Sequence, residues 1–276
     1  MHRNFAIILT SLMIATVQGC HEKSCTPRNR VAVTNTFLAA AVNDVTNCGA
    51  DVILLAGPGM CPGHFDIRPN QIDEMRSARI LLRMDFQKSL DTRLKSLTDG
   101  GLEIFGIKIS GGLCQPESYL SACQQIANCL VQREIITKEA AEKRLDEISK
   151  RISRVENENL LRVAKLENVA VVSSVHQSQF CRWLGLRVVA GYGGADTALP
   201  SHINEVVKEG CEGGVKIIVA NAPEGRKVAD SLAERLNAKV VMFDNFPADK
   251  KSPTAFDDLI SKNVSALIEV FDGHSD

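Results

Sequence analysis

Aromatic side chains are scarce in this chain: one Trp (Trp183), two Tyr (Tyr119 and Tyr192) and 5% aromatics overall in 276 residues. Sugar pockets lean on stacking rings, so a carbohydrate site is disfavoured. An excess of one charge is also lacking. Lys+Arg 32 against Asp+Glu 33 leaves a formal net charge of -1 with no basic stripe to neutralise phosphates, which removes nucleic acid from the expected partners. Apolar runs long enough to span a bilayer are missing, and a chain that is 45% hydrophobic and 24% charged is globular in composition, so neither disorder nor a multi-span membrane protein fits. There is no Gly-x-Ser-x-Gly elbow, and Cys/His pairs such as Cys61 with His64 lack an evident orienting partner, which weakens an enzyme reading.

What is present begins at the amino terminus. His2 and Arg3 precede an uncharged run at residues 5–17, followed by Gln18-Gly19-Cys20. A basic start, a short apolar core and a small residue before a cleavable junction predict a secretory signal. Val17-Gln18-Gly19-Cys20 also resembles the lipobox of bacterial lipoproteins, which implies acylation at Cys20. Nine cysteines are many. With Cys20 taken by lipid, eight remain, an even number that permits disulfides in an oxidising compartment.

Residues 20–29 are polar and contain Pro27, as a tether would. Beyond them, strand-like runs at 31–34, 52–55, 80–83 and 104–109 alternate with helical stretches at 37–45, after Pro69, at 86–97 and at 116–131. Strands at 169–175, 186–190, 215–220 and 239–243 repeat the pattern. The alternation predicts two α/β lobes, each a four-stranded parallel sheet flanked by helices. Between them, residues 137–167 contain no Gly or Pro, and Ala141, Leu145, Ile148, Ile152, Val155, Leu160, Val163 and Leu166 recur at helical spacing. One continuous helix of about 45 Å is expected there, a rigid strut along both lobes. A coiled-coil dimer arm is the lesser reading, because polar Asn159 interrupts the seam. The organisation is therefore signal 1–19, tether 20–29, amino-terminal lobe 30–136, linking helix 137–168 and carboxyl-terminal lobe 169–276.

Ligands of open α/β sheets bind outside the carboxyl ends of strands, so the loops there are the places to search. The loop Gly57-Pro58-Gly59-Met60-Cys61-Pro62-Gly63-His64-Phe65-Asp66 departs from a dinucleotide fingerprint in its glycine spacing and its prolines. It does gather a thiol, an imidazole and a carboxylate, a set that suits zinc. In the second lobe His176 closes the first strand and Asp244 the last. A His and an Asp at strand ends, facing a His of the other lobe, would make an interlobe metal site; alternatively, His176 caps a helix at 177–184 and Asp244 a turn before Pro247.

These residues resemble the solute-binding proteins of zinc and manganese ABC importers, the group with a long helix between lobes. The resemblance is carried by residues 31–42, by Gly57-Pro58-Gly59 with 64–72, by His176 followed by Leu184-Gly185-Leu186, and by 240–244. Carried over, it implies His64, His176 and Asp244 as metal ligands. The family's second histidine falls at Gly111, which offers no donor, and the spacing from His176 to Gly185 is about two residues shorter than the family's. A divergent branch is implied, with Cys114, Glu117, Cys61 or water replacing the missing ligand. The family's His-rich loop is absent.

Cys61 and Cys114 sit on loops expected to be neighbours, as soft ligands or, favoured in an exported protein, as a disulfide bracing the cleft. Cys123 and Cys129 should face different directions or stay buried. Cys181, five residues from His176, is not expected to be a ligand. The resemblance implies an exported, lipid-anchored, monomeric receptor, periplasmic or on the outer face of the cell membrane. It would capture zinc, or alternatively manganese or iron, and deliver it to an ABC transporter permease. A binding protein for another small solute on the same scaffold, or a secreted metal-dependent enzyme, are the alternatives.

Overall fold

The computed structural model describes residues 30–57, 67–248 and 251–273. Among the described residues, eight parallel strands form two sheets. The first takes β1 (Arg30–Val33), β2 (Asp51–Leu54), β3 (Ile80–Met84) and β4 (Glu103–Ile107) in the order β2-β1-β3-β4. The second takes β5 (Ala170–Ser174), β6 (Arg187–Tyr192), β7 (Ile217–Asn221) and β8 (Lys239–Phe243) in the order β6-β5-β7-β8. Val31 opposes both Val52 and Ile80, and Ile217 opposes both Val171 and Lys239. Parallel strands need crossover connections, and helices supply them. The first lobe has α1 (Thr36–Thr46), α2 (Pro69–Met75), α3 (Ser89–Arg93), α4 (Lys95–Thr98) and α5 (Pro116–Gln132). Next comes α6 (Lys138–Val163), then α7 (Ser178–Trp183), α8 (Pro200–Glu212), α9 (Lys227–Leu236) and α10 (Ala255–Asp272). No described helix is long and apolar enough to cross a membrane.

Thr137 starts α6 by accepting the amide of Ala140 on its hydroxyl at 3.2 Å. The helix ends at Val163 and tightens into a 3₁₀ turn, Ala164–Leu166. Its apolar stripe, Ala141, Ile148, Ile152, Val155 and Val163, is buried by α1, α5 and α10 of the same chain. The seam that a dimer arm would use is thus covered internally. Asn159, which breaks that seam, is buried with its Nδ2 donating to Val155 O at 2.8 Å.

Along each strand, side chains alternate between two cores. Val31, Val33, Ile80 and Leu82 of the first sheet, and Val171, Ile217 and Val219 of the second, face one continuous core that also contains the α6 stripe. Ala32 and Leu81 face a separate core with Leu90 and Leu94, while Val172 and Ile218 face another with Leu232 and Leu236. The shared core crosses the lobes. At its middle, Phe37 of α1, Tyr119 of α5 and Phe256 of α10 meet, with Tyr119 and Phe256 stacked at 4.0 Å between centroids.

Beside this trio lies a buried ion cluster. Asp44, fully shielded from solvent, receives Arg144 at 2.9 Å and Arg151 at 2.5 Å from α6 and the Tyr119 hydroxyl at 3.1 Å. Arg151 also pairs with Asp257 of α10 at 2.8 Å.

One helix differs from expectation. Residues 86–97 form a 3₁₀ turn, Asp85–Gln87, then α3 and α4, broken at Leu94 (φ -101, ψ 12). Tertiary bonds hold the start of this stretch in place. Gln87 Oε1 accepts from Thr34 Oγ1 at 2.7 Å and Met84 N at 2.9 Å, and Asp91 is fixed by a two-pronged pair to buried Arg83 at 2.6 Å.

Candidate metal centre

The carboxyl edges of the two sheets meet in the loop between β4 and α5. Cys114 of that loop donates its thiol to Asp244 O, beyond β8, at 3.0 Å, and Gln115 Nε2 donates to Gln179 O of α7 at 3.3 Å. This is the edge at which the sequence places the candidate ligands.

His64 and Cys61 lie outside the described residues, as does Cys20. His176 follows β5, and its ring is 59% exposed. It caps no helix: α7 begins at Ser178 with Gln177 at the N-cap position. Asp244 follows β8 and is gripped from α10. Lys262 Nζ reaches its Oδ2 at 2.6 Å, Asn263 Oδ1 accepts its amide at 2.9 Å, and Asn263 Nδ2 donates to its carbonyl at 2.9 Å. The Asp244 carboxylate is therefore already neutralised by a lysine. Glu117 is exposed on the first turn of α5. Among the described residues, no three His, Cys, Asp or Glu side chains gather closely enough to hold a metal by themselves.

Cys114 corrects the expected disulfide. It is a free thiol, buried and turned toward the second lobe, where Asp244 O, Asn245 Oδ1 and Asn263 Nδ2 surround it. Burial pushes its pKa well above the thiol range, in keeping with the hydrogen bond that it donates. Cys123, Cys129 and Cys181 are likewise buried free thiols, Cys181 pushed up to about 12 and Cys129 to about 11, chiefly by burial.

The space beside Gly111 is taken by the ends of neighbouring side chains, which are free to rotate. A Cβ there would lie 2.3 Å from Gln115 Oε1 and 2.6 Å from Ser118 Oγ. Gln115 fills the space while accepting the Gly112 amide at 2.8 Å and reaching Gln179.

Two groupings at this edge escape sequence reasoning. Gln177 Nε2 donates to Asn221 Oδ1 at 3.1 Å and Asn245 Oδ1 at 2.9 Å, and Asn245 Nδ2 donates to Asn221 Oδ1 at 2.9 Å. This buried amide cluster is neutral, and Gln177 Oε1 has no hydrogen-bond partner among the described residues. The second grouping is Glu224, in the 3₁₀ turn Ala222–Glu224 after β7. Its Oε2 accepts from Ser174 Oγ at 2.7 Å, and its Oε1 stands 3.5 Å from His176 Nε2. Its only signal in the sequence is its position in the loop after the third strand of the lobe.

The fold is that of known metal-binding proteins. The SBP FpvC from Pseudomonas aeruginosa, solved in complex with Mn2+, superposes with a TM-score of 0.74 at 14% identity, covering 90% of this chain and 99% of that one. The crystal structure of ZnuA gives 0.71 at 13% identity over 86% and 98%. A Mn-bound periplasmic metal binding protein from Candidatus Liberibacter asiaticus gives 0.73 at 13% over 87% and 98%. Among curated proteins, no relative matches. The sequence itself matches the ZnuA family, zinc-uptake complex component A periplasmic, over residues 113–270, from the edge loop through the strut to α10. With that match spanning more than half its length, the chain belongs to the ZnuA family of periplasmic zinc-uptake components.

Proposed function

We propose that this protein is the extracytoplasmic receptor of an ABC importer that captures a divalent transition metal between its lobes and hands it to a membrane permease. The observation that carries the reading is the placement of His176, an exposed imidazole at the carboxyl end of central strand β5, at the edge where the lobes meet. A neutral imidazole is the commonest protein ligand of such metals, and solved proteins of this fold are described as bound to Mn2+, zinc and cadmium. His64 is the proposed ligand from the first lobe, with a carboxylate of the second lobe completing the protein's share. Zinc is the first choice on family grounds, with manganese and iron as alternatives. Cys20 is the proposed lipid anchor, the working form a monomer, and chemistry on the cargo is not part of the function.

The neutral amide cluster of Gln177, Asn221 and Asn245 favours a second reading, capture of another small polar solute. Metal content decides between them. The purified mature protein should bind about one divalent ion, and His64→Ala and His176→Ala should each weaken it in titration calorimetry. Affinity should also fall on acidification, because the imidazoles must be deprotonated to bind. A protein that takes up no zinc, manganese or iron would leave the second reading standing.

A further inference from the structure

The geometry points to Glu224, not Asp244, as the second lobe's carboxylate ligand, paired with His176; the inference rests on the metal-receptor reading above. Asp244 has a lysine on its carboxylate at 2.6 Å. Glu224 has none: among the described residues, His176 is the one basic side chain within ion-pair distance, although the Glu224 side chain is only 20% exposed. A largely buried carboxylate without a cation attracts one.

The spacing of the pair fits a metal. Its Nε2 to Oε1 distance of 3.5 Å exceeds that of an ordinary N–H···O bond, about 2.7–3.2 Å. Two donors each about 2.1 Å from zinc at the tetrahedral angle are separated by about 3.4 Å, so an ion fits between these atoms with little movement.

Both groups are held by one residue. Buried Ser174 donates its hydroxyl to Glu224 Oε2 at 2.7 Å and accepts the backbone amide of His176 on the same oxygen at 3.3 Å. The hydroxyl turns Oε1 toward the imidazole and keeps Oε2 occupied. Gly194, in the loop after β6, leaves space beside Oε1: a Cβ there would lie 2.9 Å from it. Ser174 is thus a positioning residue, and Glu224 and His176 supply one oxygen and one nitrogen ligand.

Zinc titration of the full mature chain tests this, with Co2+ absorption in the visible as a readout of the ligand set. Glu224→Gln should weaken zinc at least about 100-fold and change the Co2+ bands. Ser174→Ala should cost about 10-fold, the loss common when a group orienting a ligand is removed. Asp244→Asn should stay near wild type. Unfolding midpoints of the metal-free variants should match wild type, and Glu224→Asp, which keeps the charge on a shorter stem, serves if Glu224→Gln does not fold. Wild-type zinc binding with an unaffected Glu224→Gln, or with the larger loss in Asp244→Asn, would overturn the inference and leave the receptor reading intact. A wild-type protein that binds no metal would overturn both.

Discussion

Arg151 of the strut places its Nη2 2.5 Å from Oδ2 of Asp44, a carboxylate on α1 with no solvent exposure. The same guanidinium reaches Asp257 of α10 through Nε. One side chain thereby ties α1, the linking helix and α10 into a single cluster. Removing one partner of a buried pair strands the other, which is costlier than the pair's net worth. Asp44→Ala should destabilise the protein by about 3–5 kcal/mol, since two arginines lose their anion. Urea denaturation measures it. A loss below about 1 kcal/mol, as for an exposed pair, would show that the cluster is hydrated.

Asp257 predicts a pH dependence. Burial raises its pKa from 3.8 to about 6; Arg151, shared with Asp44, opposes this, and Asp44 and Asp258 add to it. Between pH 3.8 and about 6 the folded chain therefore holds more proton than the unfolded one, so this group's share of stability falls as pH rises through the window and levels off above it. Asp257→Asn should remove that downward share. Denaturation midpoints of wild type and variant, followed from pH 4 to 7, would run parallel if Asp257 were not the source.

Thiol labelling separates the cysteines. Cys48 and Cys211 are exposed, whereas Cys114, Cys123, Cys129 and Cys181 are buried, the burial raising the pKa of each of these four. Of these six, only the exposed two should react with an aromatic disulfide reagent in the native protein, and all six after denaturation. Fast native labelling of Cys114 would mean that the β4–α5 loop leaves the second lobe.

The strut predicts small motion. No Gly or Pro interrupts α6, and the shared core packs along it, so cargo should change the scattering profile little. Inserting Gly-Gly near Glu156, which also accepts the Trp183 indole N–H at 3.1 Å, should loosen the lobes and weaken metal binding. A large drop in radius of gyration on binding by the wild type would contradict this account.

The strands were legible as short, largely apolar runs, several of them rich in β-branched residues, such as Val31-Ala32-Val33 or Ile217-Ile218-Val219. The strut was legible from its periodicity. The division of residues 86–97 was not, and the bonds from Thr34 and Arg83 that fix the start of this stretch lie outside the local pattern. At the candidate centre, the strand-end rule led to His176 and Asp244, but strand-end position does not reveal that Lys262 holds one carboxylate while Ser174 presents another. A lone acid in Ala222-Pro223-Glu224-Gly225 carries no spacing signal. Nor does the sequence show that Gln115 lies beside Gly111.

The meeting of Phe37, Tyr119 and Phe256 has a consequence for the order in which the chain matures. The amino-terminal lobe lacks one wall of its core until α10, from the opposite end of the sequence, docks against α1 and α5. Closing so distant a contact is slow. Once α10 is in place, the core shared along α6 joins both lobes, and the molecule should lose its structure in a single heat-absorption peak.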